Sequence, residues 1–271
     1  MKRNKNFLDQ LDSGWEDVLS DTYKQANTFI PETTILKYEK QKCIKYLKYQ
    51  LDNTINAPVE FPNDVEIICS SAFESSSIPE IYRFPSELKK IESLAFGNCK
   101  HLKGNLKFPY GLETIERHAF INCEGLTGDL IIPNTVRKIG SESFARCKGM
   151  TGKLVLSNSL DVISEYTFGE CGFSGELVIP ESVKEIHRSA FFKCENLSSI
   201  KLPESIKEIH RSAFAYCTNL SGTLYIPESV ESIGNRAFAK CKFDKVILPK
   251  RFEEYIRGDQ VFDPEIKLEF Y

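Results

Sequence analysis

The sequence predicts an α/β-type repeat solenoid, because one residue pattern recurs along most of its 271 residues. Two segments, 179–197 and 202–220, are nearly identical and start 23 residues apart. The same pattern extends in both directions as about eight units of 22 to 24 residues. A unit of this size cannot bury its own apolar residues, so it must stack on its neighbours and share one continuous core.

Each unit is numbered here from the proline that opens it, which serine replaces once. These residues are Pro62, Pro85, Pro109, Pro133, Ser157, Pro180, Pro203 and Pro227, with Pro249 opening a degenerate ninth unit. Position +3 is always Val, Leu or Ile, and position +6 is always Ile. Position +11 is phenylalanine in every unit, at Phe73, Phe96, Phe120, Phe144, Phe168, Phe191, Phe214 and Phe238. Eight aromatic rings in phase predict a stacked spine inside the molecule.

The residues before each proline predict one short strand per unit. They read as alternating strands that end at the proline, as in residues 130–133 and 224–227. Because side chains alternate across a strand, positions −3 and −1 should point inward and positions −2 and −4 outward. Strands in the same phase of a stack must pair in parallel.

The motif I/L-P-x-S-V-x-x-I-x-x-x-A-F-x-x-C-x-x-L, repeated over residues 59–249, resembles the BspA-like class of leucine-rich repeats. The resemblance implies a right-handed leucine-rich-repeat superhelix with a parallel β-sheet on its concave face. Many members of this family are surface proteins of bacteria or protists and are implicated in adhesion.

Both ends of the chain fall outside the repeat. Residues 1–58 have helix-like spacing in segments 7–24 and 36–51, which predicts a short helical N-terminal cap or a small interaction module. Residues 250–271 contain an alternating segment, 265–270, which predicts a strand that continues the sheet as a C-terminal cap.

Charge and hydropathy disfavour two classes of partner. The formal net charge is −3, so the chain lacks the basic face on which nucleic-acid binding depends. No run of 18 apolar residues occurs, so no membrane span is expected. Acidic residues interrupt any apolar signal segment near residue 1, which favours a cytoplasmic location. The family resemblance favours surface exposure instead.

Seven of the nine cysteines occupy position +14, at Cys99, Cys123, Cys147, Cys171, Cys194, Cys217 and Cys241. There is no C-x-x-C pair and no histidine at the spacing of a zinc site. Parallel side chains in a ladder point the same way, which argues against bridges between them. We therefore expect buried free thiols that pack as small apolar groups.

Two histidines, His187 and His210, occupy the same phase in consecutive units, each next to an arginine. No carboxylate or nucleophile is evident at a matching phase, so the pair is interpreted as a copied repeat and not as a metal or catalytic site. Phosphate-loop, zinc-hydrolase and serine-hydrolase motifs are absent from the sequence. We expect no enzyme activity, no cofactor and no metal.

The outward strand positions are the candidate functional surface. Position −2 gives the candidate partner-binding residues Lys107, Ile131, Val155, Val178, Lys201 and Tyr225. An apolar stripe with a polar rim is typical of a protein interface, although β-branched residues also favour strands for structural reasons. The prediction is a non-enzymatic scaffold that binds an unidentified protein partner through the concave sheet. The alternatives are a cell-surface adhesin-like module and an enzyme or effector with an unrecognised site.

Overall fold

The computed structural model describes residues 36–39, 43–46, 59–61, 63–254, 256 and 260–271. All of them lie within one compact unit, residues 36–271. The strands in chain order are β1 (Leu36–Glu39), β2 (Cys43–Tyr46), β3 (Val59–Glu60), β4 (Ile67–Ile68), β5 (Ile81–Arg83), β6 (Lys90–Ile91), β7 (Thr114–Ile115), β8 (Leu130–Ile131), β9 (Lys138–Ile139), β10 (Leu154–Val155), β11 (Val162–Ile163), β12 (Gly175–Val178), β13 (Glu185–Ile186), β14 (Leu197–Lys201), β15 (Glu208–Ile209), β16 (Ser221–Tyr225), β17 (Ser232–Ile233), β18 (Lys242–Leu248) and β19 (Lys267–Phe270).

The solenoid is a β structure and not the α/β type that the sequence predicted. Within the described ranges, the only helical element is a 3₁₀ helix at Lys250–Phe252. The rest of each turn of the solenoid consists of short strands joined by tight turns. No helix in the described part of the chain has the length and apolar character needed to cross a bilayer.

Most turns of the solenoid contain two strands, where the sequence predicted one. The first set, the proline ladder, comprises β3, β5, β8, β10, β12, β14, β16 and β18, which lie just before the opening residue of a unit, together with β19, which pairs with β18. The second set, the isoleucine ladder, carries the buried isoleucine of position +6 and comprises β4, β6, β7, β9, β11, β13, β15 and β17. All hydrogen-bonded neighbours within each ladder are parallel.

The segment around each core phenylalanine is held by left-handed residues on both sides. In the turn of Phe168, Tyr166 has φ 51° and Glu170 has φ 57°, and equivalent residues recur in the other turns. A residue with positive φ interrupts an α-helix, so this segment cannot become one. The N–H groups of Tyr166, Phe168 and Glu170 instead donate to carbonyl oxygens of the next turn, at 3.0, 2.9 and 2.7 Å.

The predicted phenylalanine spine is confirmed. Phe73 to Phe238 are all fully buried, and each ring stacks on the next with centroids 5.0 to 5.7 Å apart. Phe262 extends the stack beyond Phe238 at 5.2 Å. The degenerate last unit therefore contributes a ninth turn to the core.

The cysteine row is also buried, and its seven thiols are free. Each thiol donates to the carbonyl oxygen of the core phenylalanine one turn earlier, as Cys194 Sγ does to Phe168 O at 3.1 Å. The Sγ–O distances of the whole row run from 2.9 to 3.2 Å. The thiols therefore fill space, as predicted, and also link successive turns. Cys69, outside this row, is disulfide-bonded.

The predictions for the two ends had different outcomes. The helix predicted over 36–51 is wrong where the structure describes it, because β1 and β2 form an antiparallel hairpin there. Strand β2 then pairs in parallel with β4 and extends the isoleucine ladder. The predicted helix at 7–24 lies outside the described residues. The strand predicted near residue 265 is confirmed, since β19 pairs in parallel with β18.

Candidate protein-binding surface

Position −2 of each turn, which we call the outward row of the proline ladder, carries all six candidate binding residues. Five of them lie on strands of the proline ladder, whereas Lys107 lies in a segment where the structure has no strand. Leu154 in β10 and Leu156 just after it are buried in the core, while Val155 between them is 47% exposed. The same alternation leaves Ile131 at 56%, Val178 at 48% and Tyr225 at 46% exposure. Lys107 and Lys201 are exposed as well. The predicted inward and outward positions of the strand are therefore confirmed.

These side chains lie on consecutive turns of the stack. Val155 is the register partner of Ile131, and Val178 is the register partner of Lys201. The turns of Val155 and Val178 are joined by a hydrogen bond from Ser174 N to Gly152 O at 3.0 Å. Three apolar side chains therefore follow one another along the ladder before the row becomes basic at Lys201.

Exposed large apolar side chains are concentrated on this face. Seven occur among the described residues, and Ile131, Val155, Val178 and Tyr225 are four of them. A fifth, Tyr271, stacks on Tyr225 with ring centroids 5.4 Å apart. Its hydroxyl donates to Ile226 O at 3.0 Å. The sequence reasoning missed Tyr271, because it follows the last strand and no repeat position predicts its contact.

Charged residues border the apolar row near its C-terminal end. Lys245 lies 3.2 Å from Glu269, and Lys267 lies 2.8 Å from the same carboxylate. Hydrogen bonds from Lys267 and Lys245 lower the pKa of the Glu269 carboxyl below its usual value. This side of the surface is therefore polar and ionised at neutral pH.

A second cluster lies on the isoleucine ladder, around the two histidines. Nε2 of His187 is 3.0 Å from a carboxylate oxygen of Glu185, and Nε2 of His210 is 3.3 Å from one of Glu208. The expectation that no carboxylate lies at a matching phase is wrong. Each glutamate is two residues before its histidine, and the alternation of a strand places both on one face.

Comparison with known proteins gives one family and several similar folds. A model of the BspA type leucine rich repeat region matches residues 48–151 and 150–269, with six copies. The crystal structure of a leucine-rich repeat protein of T. pallidum matches with 25% identity and a TM-score of 0.52, covering 90% of this chain and 99% of that one.

Two further crystal structures are similar at lower scores. The pneumococcal vaccine antigen PcpA has 17% identity and a TM-score of 0.43, with 77% of this chain and 71% of that one covered. A leucine rich cell surface protein of Faecalibacterium prausnitzii has 18% identity and a TM-score of 0.38, with 82% and 88% covered. None of the curated proteins compared with the chain matches it.

Proposed function

Because the chain belongs to the BspA-type leucine-rich repeat family, we propose that it is a non-enzymatic scaffold that binds a protein partner. The binding surface is the outward row of the proline ladder, on the face that the family resemblance predicts to be concave. The observation that carries the proposal is the exposed row of Ile131, Val155 and Val178 on successive turns.

The chemistry of this row suits a protein partner. Apolar side chains in adjacent positions lose contact with water when a complementary surface covers them, which stabilises a complex. Tyr225 offers a large aromatic surface of the kind that is enriched at interface hot spots. Lys107 and Lys201 flank the apolar side chains and favour acidic groups on the partner. The expected partner surface is therefore apolar in its centre and acidic at its rim.

The β-branched residues of the row also favour strands for structural reasons. A structural role requires only the strand conformation, whereas a binding role requires the apolar surface itself. Replacing two of these residues by aspartate removes the apolar surface. Because aspartate is also less favourable in strands, retention of the fold is measured together with binding. A folded variant that no longer binds the partner would indicate a binding role, and a folded variant that still binds it would indicate a structural role.

The experiment is affinity capture with the wild-type chain and with the double variant Val155→Asp, Val178→Asp. The bait is incubated separately with cytosolic and cell-surface fractions of the native host, and bound proteins are identified by mass spectrometry. We expect a partner captured by the wild type to be lost from the double variant. Circular dichroism and thermal unfolding of both baits check that the fold is retained.

The control is Tyr216→Asp, which introduces one negative charge at an exposed aromatic residue outside the outward row of the proline ladder. It should capture the partner as the wild type does. Equal capture by wild type and double variant would reject this surface as the binding site.

A further inference from the structure

The histidine cluster lies on the isoleucine ladder, away from the proposed protein-binding row. Strands β13 and β15 are parallel neighbours in register, with Glu185 paired to Glu208. Ile186 and Ile209 are fully buried, so the residues on either side of each isoleucine point outward. Two Glu-Ile-His segments therefore present two carboxylates and two imidazoles together on one face.

The groups are close enough to share one ion. The two imidazole rings are tilted, with centroids 4.9 Å apart. One ligand atom from each of Glu185, His187 and His210 can be chosen so that all three lie within 4.8 Å of one another. All three residues are half-buried. Partial exposure leaves the side chains room to adjust and gives an ion a route from solvent.

We propose that Glu185, His187 and His210 form a binding site for a divalent transition metal of the zinc type. Zinc is bound by imidazole nitrogen and carboxylate oxygen at about 2.0 to 2.2 Å in tetrahedral geometry, so neighbouring ligand atoms are about 3.3 Å apart. The observed separation between Glu185 and His187 is 3.0 Å. Small rotations of half-buried side chains bring the third ligand to the same distance.

The fourth position is open to Glu208 or to water. An oxygen of Glu208 lies 3.3 Å from Nε2 of His210, which is again the separation of two ligands on one ion. That Nε2 atom is buried and makes no hydrogen bond of acceptable geometry with any residue that the structure describes. A buried ring nitrogen without a hydrogen bond is a destabilising feature that a metal bond would remove.

Two earlier turns of the isoleucine ladder show why the charges at this place favour a cation. At the equivalent positions of β6 and β7, Lys90 lies 3.4 Å from Glu92 and 2.8 Å from Glu116, so a lysine of the protein neutralises the carboxylates. In the described part of the chain, the ion-pair partner of Glu185 is His187 and that of Glu208 is His210. With neutral imidazoles the cluster carries the two negative charges of Glu185 and Glu208.

Two of the nearby basic residues are directed to other carboxylates, and the adjacent turns place no large side chain over the site. Arg188 is directed to Glu165, with 3.8 Å between Nε and the carboxylate, and Lys207 to Glu231 at 2.9 Å. The positions equivalent to the two histidines in the preceding and following turns are Ser164 and Gly234. A Cβ atom on Gly234 would lie 2.4 Å from Arg211 N, so this place must remain without a side chain.

The test is a titration of the whole chain with Zn²⁺ in competition with a chromophoric chelator, without thiol reductant. We expect one equivalent of Zn²⁺ to bind per chain, and His187→Gln or His210→Gln to weaken binding at least tenfold. Glu185→Gln should weaken it as well, and Glu208→Gln should weaken it less. Mg²⁺, which prefers oxygen ligands, should not compete.

The matched control is His118→Gln. His118 also lies beside a carboxylate, 3.3 Å from Glu142, but the part of the chain that the structure describes places it in no such three-residue cluster. The variant should bind Zn²⁺ as the wild type does. All seven buried thiols remain in every variant, so binding that persists unchanged in His187→Gln and His210→Gln would come from elsewhere and overturn the proposal. Absence of saturable binding to the wild type would overturn it too.

A second readout is thermal unfolding. An ion that binds only the folded chain raises its melting temperature as its concentration increases. Zn²⁺ should raise the melting temperature of the wild type and of His118→Gln, but not of the double variant His187→Gln, His210→Gln. An equal rise in that double variant would also overturn the proposal.

Discussion

The phenylalanine spine and the outward row of the proline ladder both recur once per turn, but only the spine is uniform. Every ring of the spine is a buried phenylalanine in contact with identical neighbours. The outward row changes from lysine to isoleucine, valine and tyrosine along the same ladder. A buried position must fit the turns above and below it, whereas an exposed position is free to differ. The varied row is therefore where properties specific to this chain can reside.

The largest expected effect concerns the spine. Phe144 stacks on rings at 5.3 and 5.7 Å, and Phe144→Ala should lower the free energy of unfolding by about 3 to 5 kcal/mol. Phe262 ends the stack and is slightly exposed, so Phe262→Ala should lower the free energy of unfolding by less than Phe144→Ala does. Equilibrium unfolding in urea measures both losses. Equal losses would show that the position of a ring within the stack is irrelevant.

The next effect concerns the cysteine row and appears as pH dependence. Burial raises the pKa of the Cys147 and Cys194 thiols to about 12. Between about pH 9 and 12 the unfolded chain releases these protons while the folded chain keeps them, so stability falls as pH rises. Each thiol should contribute up to about 1.4 kcal/mol per pH unit.

The measurement is the free energy of unfolding of wild type and Cys194→Ser at pH 8, 9 and 10. Serine keeps a donor for Phe168 O but does not titrate in this range. Ser76 already occupies the equivalent position of the first turn, next to Cys99. The variant should therefore have a shallower decline. Identical slopes would mean that the Cys194 thiol does not contribute to the alkaline loss of stability.

The smallest effect concerns the left-handed residues, whose identity varies while their conformation does not. Lys193 is exposed and has φ 55°. Glycine adopts this conformation without a Cβ clash, so Lys193→Gly should stabilise the fold by up to about 1 kcal/mol. The control Glu195→Gly, at an exposed residue without positive φ, should be destabilising. Thermal unfolding of both variants tests this, and equal shifts would contradict it.

The core rows were predictable because the same spacing recurs eight times. The phenylalanines of position +11 and the isoleucines of position +6 needed no knowledge of the backbone. The isoleucine strands were missed because a strand of two residues, such as Glu185–Ile186, is too short to show alternation. The left-handed residues could not be predicted from residue type, since Tyr166, Glu170 and Lys193 rarely adopt this conformation.

The candidate surface was only partly accessible from sequence. Alternation before each proline was sufficient to assign Val155 and Val178 to the outside. The contact of Tyr271 with Tyr225 depends on how the chain leaves β19, which no local pattern specifies. The carboxylates beside His187 and His210 required recognition of the second ladder, because only its alternation places them next to the rings.

The thiol-to-carbonyl bonds of the cysteine row bear on how the molecule responds to force. The Cys194 thiol donates to Phe168 O, and the Cys217 thiol donates to Phe191 O. Each of these hydrogen bonds therefore joins one turn to the next. A force that pulls the two ends of the stack apart would act on these hydrogen bonds and on the backbone hydrogen bonds between the same two turns. The interface with the fewest such bonds would open first, and the solenoid would extend turn by turn.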